Sequence, residues 1–278
     1  MANIISLLTL IKNYGSVNNP ITNFPAIRKK YLSGLELFLP DSQIPGLSDR
    51  VGNSKIRHLR SFASLVKGAI KTHGGHLLVP EKKLFYVRIP KSANTSCSAA
   101  LLRVNFPDLP ETLNAHQINL LTDSWLRREV SPSLKNFTGF TVVRHPLKRL
   151  VSVYQTFFEQ GTDDFIYNGY LFGVLPKTLS FDEFVFRISK IPDKLKDQHI
   201  RPQACFLEAY RKRNVPVRVF KIEQIDELQN FLSSFSMELS HLNRRGESKS
   251  IQSYYSASTL QLARKMYASD FSLFNYDQ

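Results

Sequence analysis

Two short apolar runs typical of β-strands each end near a proline and are followed at once by a helix-like segment. The first run covers residues 83–89 and leads to a helix-like segment at 98–103. The second covers 138–143 and leads to a helix-like segment at 147–154. Strands that alternate with helices in this way predict an α/β fold with a mostly parallel central sheet flanked by helices.

The rest of the chain extends this pattern without any internal repeat. A third strand is predicted at 215–220, a helix at 223–235 and a last helix at 258–268. These segments predict one domain over residues 81–278. Residues 1–80 are poorly patterned, and we expect them to form a helical or irregular extension that packs on the domain.

Composition agrees with a globular chain that carries a strong positive charge. Of 278 residues, 42% are hydrophobic, which excludes intrinsic disorder and collagen-like sequence. Lys and Arg number 37 against 23 acidic residues, giving a net charge of +14. This excess predicts a polyanionic partner, whether nucleic acid, anionic lipid, phosphorylated cofactor or acidic polysaccharide. A basic amphipathic helix predicted at 54–72 is a candidate polyanion surface, although a merely solvated face explains it as well.

The N-terminal segment and the cysteines bear on location and metal content. The apolar stretch at 4–11 is far shorter than the roughly 20 residues that a membrane helix needs, and no basic residue precedes it as in a secretory signal. Cys97 and Cys205 form no CxxC pair, and no cluster has metal-ligand spacing. We therefore expect a soluble, cytoplasmic protein that uses no metal.

The first strand-to-helix turn has the features of an anion-binding loop. It consists of Pro90, Lys91, Ser92, Ala93, Asn94, Thr95 and Ser96. Backbone N–H groups at the start of a helix can surround an anion, and the helix dipole adds to the attraction. Lys91 supplies a positive charge, and Thr95 and Ser96 supply hydroxyl donors. The loop has no glycine and its lysine comes first, so it departs from the Walker pattern of ATPases and kinases. An ordinary capped turn is the alternative interpretation.

The second turn carries a cation and a hydroxyl on the same stretch of chain. Arg144 directly follows the predicted strand, and Ser152 lies eight residues later, about two helical turns along. Both could reach one phosphate that lies along the helix flank, Arg144 as a forked donor and Ser152 through its hydroxyl. His145 is interpreted as a residue of the helix start rather than as a catalytic group.

Taken together, these motifs resemble the sulfotransferase family, in the form found in Golgi-type carbohydrate sulfotransferases. Residues 89–96 look like the family's 5′-phosphosulfate loop, and 143–154 look like its 3′-phosphate motif. Residues 197–203 are similar to a segment that these enzymes place near the acceptor, and 267–276 match the family's closing segment. The resemblance covers roughly residues 80–278, with the motifs in family order.

The resemblance implies a P-loop-like sulfotransferase fold and 3′-phosphoadenylyl sulfate (PAPS) as donor, with PAP as product and no metal. Lys91 would bind the bridging oxygen and the 5′-phosphate, and residues 92–96 would complete the cradle. Arg144 and Ser152 would hold the 3′-phosphate. Many sulfotransferases add a late basic loop to this phosphate, for which the candidates are Arg244, Arg245 and Gly246.

The acceptor implied by the resemblance is a hydroxyl group of a carbohydrate, which could itself be anionic. Removing its proton calls for a general base. His116 lies between the two motifs and is the first candidate; His199 in the acceptor-side segment and an unidentified carboxylate are the alternatives. No nucleic acid is expected as a partner. Relatives in the Golgi lumen make that compartment the alternative to the cytoplasm.

Two other classes of function remain open at this point. One is a nucleotide-dependent small-molecule kinase, disfavoured by the position of Lys91 and by the missing second, metal-binding Asp motif. The other is a non-enzymatic polyanion-binding protein that uses the basic residues of 54–72. Such a protein would bind with steep salt dependence and without preference for a 3′-phosphorylated nucleotide.

Overall fold

A computed structural model describes residues 74–107, 113–159, 167, 174–193, 196–239 and 250–277. The extension predicted at 1–80 lies outside the described residues except for its last seven positions, and the basic helix predicted at 54–72 lies wholly outside them. The same holds for Arg244, Arg245 and Gly246.

A four-stranded sheet organises the described part of the chain. Its strands are β1 (His76–Val79), β2 (Leu84–Val87), β3 (Thr138–Val143) and β4 (Arg218–Lys221), which lie side by side in the order β1-β2-β3-β4. β1 pairs antiparallel with β2, whereas β2 with β3 and β3 with β4 are parallel. The predicted mostly parallel sheet is therefore confirmed. β1 was not predicted and lies before residue 81, where the domain was expected to begin.

Eight α-helices are described along the chain. They are α1 (Asn94–Asn105), α2 (Ala115–Trp125), α3 (Pro146–Tyr154), α4 (Phe181–Ser189), α5 (Ala204–Lys212), α6 (Ile225–Ser233), α7 (Ala257–Met266) and α8 (Ala268–Leu273). A π-helical turn, Gln155–Glu159, follows α3. Helices α1, α3, α6 and α7 occupy the four predicted helical segments. Helices α2 and α4 each begin with a capping box, Asn114 with Gln117 and Ser180 with Glu183, a signal that the sequence carries.

The chain divides into two compact units. Of the described residues, one unit comprises those within 74–153, 198–254 and 263–277 and contains the sheet, and the other comprises those within 154–197 and 255–262. In the second unit, the Tyr154 ring contacts Phe158 and Phe184, and Thr259 donates a hydrogen bond to Asp182 at 2.7 Å. The ring contacts hold α4 against Tyr154 and the π-helical turn, and the hydrogen bond from Thr259 joins α4 to the start of α7.

Both faces of the sheet are buried along its central strands, β2 and β3. Because successive strand residues point to opposite faces, Tyr86 packs with Phe140 and Leu101 on one side, while Phe85 packs with Phe206 on the other. Parallel strands covered on both faces read as continuous apolar runs rather than as alternating ones. This burial explains why the strands were visible in the sequence.

Candidate active site

The two turns singled out in the sequence lie at the same edge of the sheet. β2 and β3 are parallel neighbours, with Val87 opposite Thr141, and the Thr141 hydroxyl donates to the Val87 carbonyl at 2.8 Å. Both strands therefore end at one edge, and the loops that follow them are adjacent. Ligands of open α/β sheets bind at this carboxyl edge.

The backbone of the first loop is shaped as an anion nest. Lys91 (φ 68°) and Ala93 (φ 53°) adopt the left-handed conformation although neither is glycine, at a cost of roughly 1–2 kcal/mol for each residue. Two left-handed residues separated by one that is not left-handed turn their successive backbone N–H groups toward one side of the loop. The first hydrogen bond of α1 runs from the Cys97 N–H to the Ala93 carbonyl, and no described side chain caps this helix. The nest thus opens onto the positive end of a 12-residue helix.

Side chains of the loop alternate between buried and half-buried positions. Ser92, Asn94 and Ser96 are buried, with Ser92 fully enclosed, whereas Lys91 and Thr95 are half-buried. Lys91 and Thr95 are therefore the loop side chains that solvent reaches most readily. Ser92 and Asn94 instead hold the loop in place, through contacts described below, and can offer an anion their backbone N–H groups.

Arg149 anchors the start of the first loop. The residue is 2% exposed, and its guanidinium donates from Nε to the Pro90 carbonyl at 3.0 Å. It also donates from Nη1 to the Arg201 carbonyl at 2.8 Å and from Nη2 to the Gln198 carbonyl at 2.9 Å. One buried side chain of α3 therefore joins the first loop to the segment that carries His199. His199 itself is half-buried.

Arg88 ties the other end of the loop to α2. Its Nε donates to Asn94 Oδ1 at 3.0 Å, and Nη2 donates to Asn119 Oδ1 at 3.4 Å. Nη1 forms an ion pair with Asp123, one turn further along α2. His116 lies in the first turn of this helix, three residues before Asn119.

The second turn has a backbone held by a side-chain amide. The Arg144 N–H donates to Gln203 Oε1 at 3.0 Å, and Gln203 Nε2 donates back to the Arg144 carbonyl at 2.8 Å. The Arg144 side chain is half-buried at the end of β3, and Ser152 is 9% exposed on α3. The predicted order of strand, turn and helix is confirmed, with Arg144 and Ser152 on the expected elements.

His145 occupies the start of α3, as interpreted from the sequence. Its carbonyl accepts from the Arg149 N–H at 2.9 Å, and its ring meets Phe271 and Tyr276 edge-on. Its buried Nδ1 has no hydrogen-bond partner among the described residues. Burial penalises the charged imidazolium and lowers the pKa of His145 below its usual 6.5, although Glu223 acts in the opposite direction.

This environment predicts a pH-dependent contribution to stability that His145→Phe should remove. Since the pKa is lower in the folded state, the unfolded chain binds the proton more readily, and stability falls as pH drops below about 6.5. We expect the Tm of the wild type to fall more than that of His145→Phe between about pH 7.5 and about pH 5.5. Thermal unfolding of both proteins checks this, and equal losses would contradict it.

Two residues of the site were assigned no role from the sequence, and one was assigned a different one. Arg88 and Arg149 were not singled out, and nothing in their local sequence distinguishes them from surface arginines. Gln203 was placed on the acceptor side by resemblance, whereas its side chain lies between the two turns. Within the described ranges, no group of His, Cys, Asp or Glu side chains could hold a metal ion.

Comparison with known proteins agrees with this arrangement. The model of the sulfotransferase family matches residues 76–277, well over half of the chain. The chain belongs to the sulfotransferase family. The match begins at the first residue of β1 and confirms both the resemblance and the predicted fold class. No curated protein and no solved structure matches the chain significantly.

Family membership makes this protein a transferase of the sulfotransferase type, and it supports sulfuryl transfer as its reaction class. Lys91, His116, Arg144, Ser152 and His199 all lie in the sheet-containing unit. Among the helices of the described part, none is both long and apolar enough to cross a membrane.

Proposed function

We propose that this sulfotransferase moves the sulfuryl group of PAPS to a hydroxyl group of a carbohydrate and releases PAP. The observation that carries this proposal is the adjacency of two anion-directed turns at one sheet edge. The first presents a nest and a helix N-terminus beside Lys91, and the second presents Arg144. A nucleotide with phosphates at both its 5′ and 3′ positions would use both turns.

The residues present suit PAPS in charge and in hydrogen-bonding capacity. The N–H groups of the first loop and the ammonium of Lys91 match the 5′-phosphosulfate. Arg144 and Ser152 offer a guanidinium and a hydroxyl for the 3′-phosphate, which ADP lacks. When bound, PAPS supplies an activated sulfuryl group on a phosphate leaving group.

Positioning and charge stabilisation are the work of this chain's own residues. By analogy with phosphoryl transfer, the displacement is in line and its transition state is loose, so little covalent participation by the protein is needed. Lys91 would stabilise the negative charge that develops on the 5′-phosphate as the bond to sulfur breaks. The nest would hold that phosphate in line with the acceptor oxygen.

His116 is our first candidate for the base that removes the acceptor proton, and His199 is the second. The element carrying each histidine is anchored to the first loop by a buried arginine, α2 through Arg88 and residues 198–201 through Arg149. Both elements are thus held beside the loop that would bind the sulfuryl donor. The net charge of +14 agrees with an anionic glycan as acceptor.

His116→Ala should lose most turnover but keep the affinity for PAP, because a general base contributes about 10²–10⁴-fold to rate without holding the nucleotide. Turnover assays and calorimetric titration with PAP measure the two effects separately. His199→Ala is the matched variant. If His199→Ala loses turnover while His116→Ala does not, the base is His199 and our first assignment is wrong.

Calorimetric titration with PAP, using ADP as the control, tests the cofactor directly. We expect the wild type to bind PAP much more tightly than ADP. Arg144→Ala should lower the affinity for PAP by roughly ten- to a hundredfold, since a hydrogen bond to a charged group contributes about 1.5–3 kcal/mol. The affinity for ADP should barely change.

Arg211→Ala provides the matched control for this titration, because it removes an exposed arginine of α5. It should leave both affinities unchanged. Equal binding of PAP and ADP would contradict the proposal and favour a kinase. Weak, salt-dependent binding of both nucleotides would favour a polyanion-binding protein instead.

A further inference from the structure

We propose that Gln203 is a positioning residue that couples the two phosphate-binding turns and thereby sets the preference for a 3′-phosphorylated nucleotide. This inference rests on the proposed function and deepens it. The side chain of Gln203 is fully buried and lies between Ser92 of the first turn and Arg144 of the second.

The amide of Gln203 uses its entire hydrogen-bonding capacity. Oε1 accepts from the Ser92 hydroxyl at 3.0 Å and from the Arg144 N–H at 3.0 Å. Nε2 donates to the Arg144 carbonyl at 2.8 Å and to Asp270 Oδ2 at 3.4 Å. An amide has two acceptor sites and two donors, so none is left over. The Arg144 N–H also fixes which end of the amide is oxygen, because it requires an acceptor.

Gln203 pairs with Arg144 as a neighbouring strand would. It binds both the N–H and the carbonyl of that residue, just beyond the last residue of β3. Holding both groups limits rotation about the Arg144 backbone and so fixes the direction in which its side chain leaves the sheet. The same Oε1 holds Ser92, which lies between the two left-handed residues of the nest.

Asp270 of α8 holds the backbone of Gln203 in place. Its carboxylate is fully buried and accepts from the Gln203 N–H at 2.8 Å and from the Ala204 N–H at 2.8 Å. Asp270 therefore caps the start of α5. Gln203 is the N-cap residue of this helix, but its own side chain does not cap it and is directed to the two turns instead. Burial raises the pKa of Asp270, while hydrogen bonds from the Ala204 and Gln203 amides oppose that rise.

A nucleotide that spans both turns depends on their separation, whereas one that uses only the first turn does not. PAP has phosphates for both turns, and ADP has none for the second. Loosening the link between Ser92 and Arg144 should therefore weaken PAP binding and leave ADP binding nearly unchanged. The ratio of the two affinities isolates this coupling from general effects on the fold.

Gln203→Met tests the coupling, because methionine has a similar shape and forms none of the four hydrogen bonds. We expect the PAP-to-ADP affinity ratio to fall about tenfold, with ADP affinity changed by no more than about twofold. The double variant Arg144→Ala with Gln203→Met should have the same ratio as Arg144→Ala alone, since the effect passes through Arg144. Additive losses would overturn the proposal.

Gln229→Met is the matched control. Gln229 accepts from the Leu239 N–H at 3.1 Å and donates to the Ser233 hydroxyl at 3.3 Å, away from both turns. Replacing a glutamine whose role is purely structural should lower the Tm without altering the PAP-to-ADP affinity ratio. We expect only this effect from Gln229→Met. Gln203→Met with a lowered Tm and an unchanged ratio would place Gln203 in the same class and overturn the proposal.

Ser92→Ala provides a second variant in case Gln203→Met does not fold. It removes only the bond from the Ser92 hydroxyl to Oε1, and we expect a fall of about threefold in the ratio. An unchanged ratio there would also overturn the inference. If the wild type prefers PAP and the Gln203 and Ser92 variants keep the same PAP-to-ADP affinity ratio, this inference is wrong but the proposed function stands. If the wild type does not prefer PAP over ADP, the proposed function is wrong as well.

Discussion

Replacing Lys91 with alanine is expected to lower turnover by about a hundred- to a thousandfold, the usual effect of removing one group that stabilises developing charge. Lys91 is half-buried, and it stands in the left-handed conformation at the mouth of the nest. Alanine occupies the same backbone conformation with equal strain, so the loop should keep its shape. What is lost is the ammonium that would stabilise the leaving phosphate.

The measurement is turnover at saturating donor and acceptor, together with circular dichroism to confirm the fold. Lys91→Arg should recover part of the activity because it keeps the positive charge. The recovery should be incomplete because a guanidinium is larger than the compact ammonium. Lys82→Ala is the control, since Lys82 is also half-buried but precedes β2 and so lies at the opposite edge of the sheet. A folded Lys91→Ala protein with turnover close to that of the wild type would refute the assignment.

Replacing Arg149 with methionine is expected to lower the free energy of unfolding by about 3 kcal/mol, because buried carbonyl groups lose their donors. Its hydrogen bonds to the Pro90 and Arg201 carbonyls are buried, and that to the Gln198 carbonyl is partly buried. PAP affinity should fall as well, since the start of the first loop would no longer be fixed.

Urea unfolding measures the stability of each variant. Arg149→Lys should be intermediate, because one ammonium on a flexible stem cannot reproduce the guanidinium's fixed array of donors. Arg211→Met removes an exposed arginine and should stay within about 0.5 kcal/mol of the wild type. A loss below about 1 kcal/mol in Arg149→Met would mean that the three carbonyls find other partners.

The Arg149 variants test one structural idea, namely that the first loop is strained and that its neighbours hold it in that state. Two left-handed residues that are not glycine persist only where the surroundings fix them. Here the groups that fix its shape are the side chains of Arg88 and Arg149, which bind the loop at Asn94 and Pro90, whereas Gln203 links Ser92 to the second turn. The alternation of buried and half-buried loop residues follows from these contacts.

The local elements could be predicted because they depend on neighbours in sequence. Strands β2 and β3 are buried runs bounded by turn residues, and the helices after them follow within a few residues. β4 has an apolar core around Phe220, although Arg218 and Val219 are exposed. β1 escaped prediction because its four residues lie in a poorly patterned stretch and are recruited by antiparallel pairing with β2. Helices α2 and α4 escaped although their capping boxes are present in the sequence.

The sequence alone determined the α/β class, the two turns, and Lys91, Arg144 and Ser152 on the elements where they were expected. The tertiary structure alone decided how the turns are held together. Ser92 and Gln203 are 111 residues apart, and Gln203 and Asp270 are 67 apart. Such contacts leave no periodic signal, because a hydrogen bond between distant residues depends on how the sheet and helices pack and not on the local pattern around either partner.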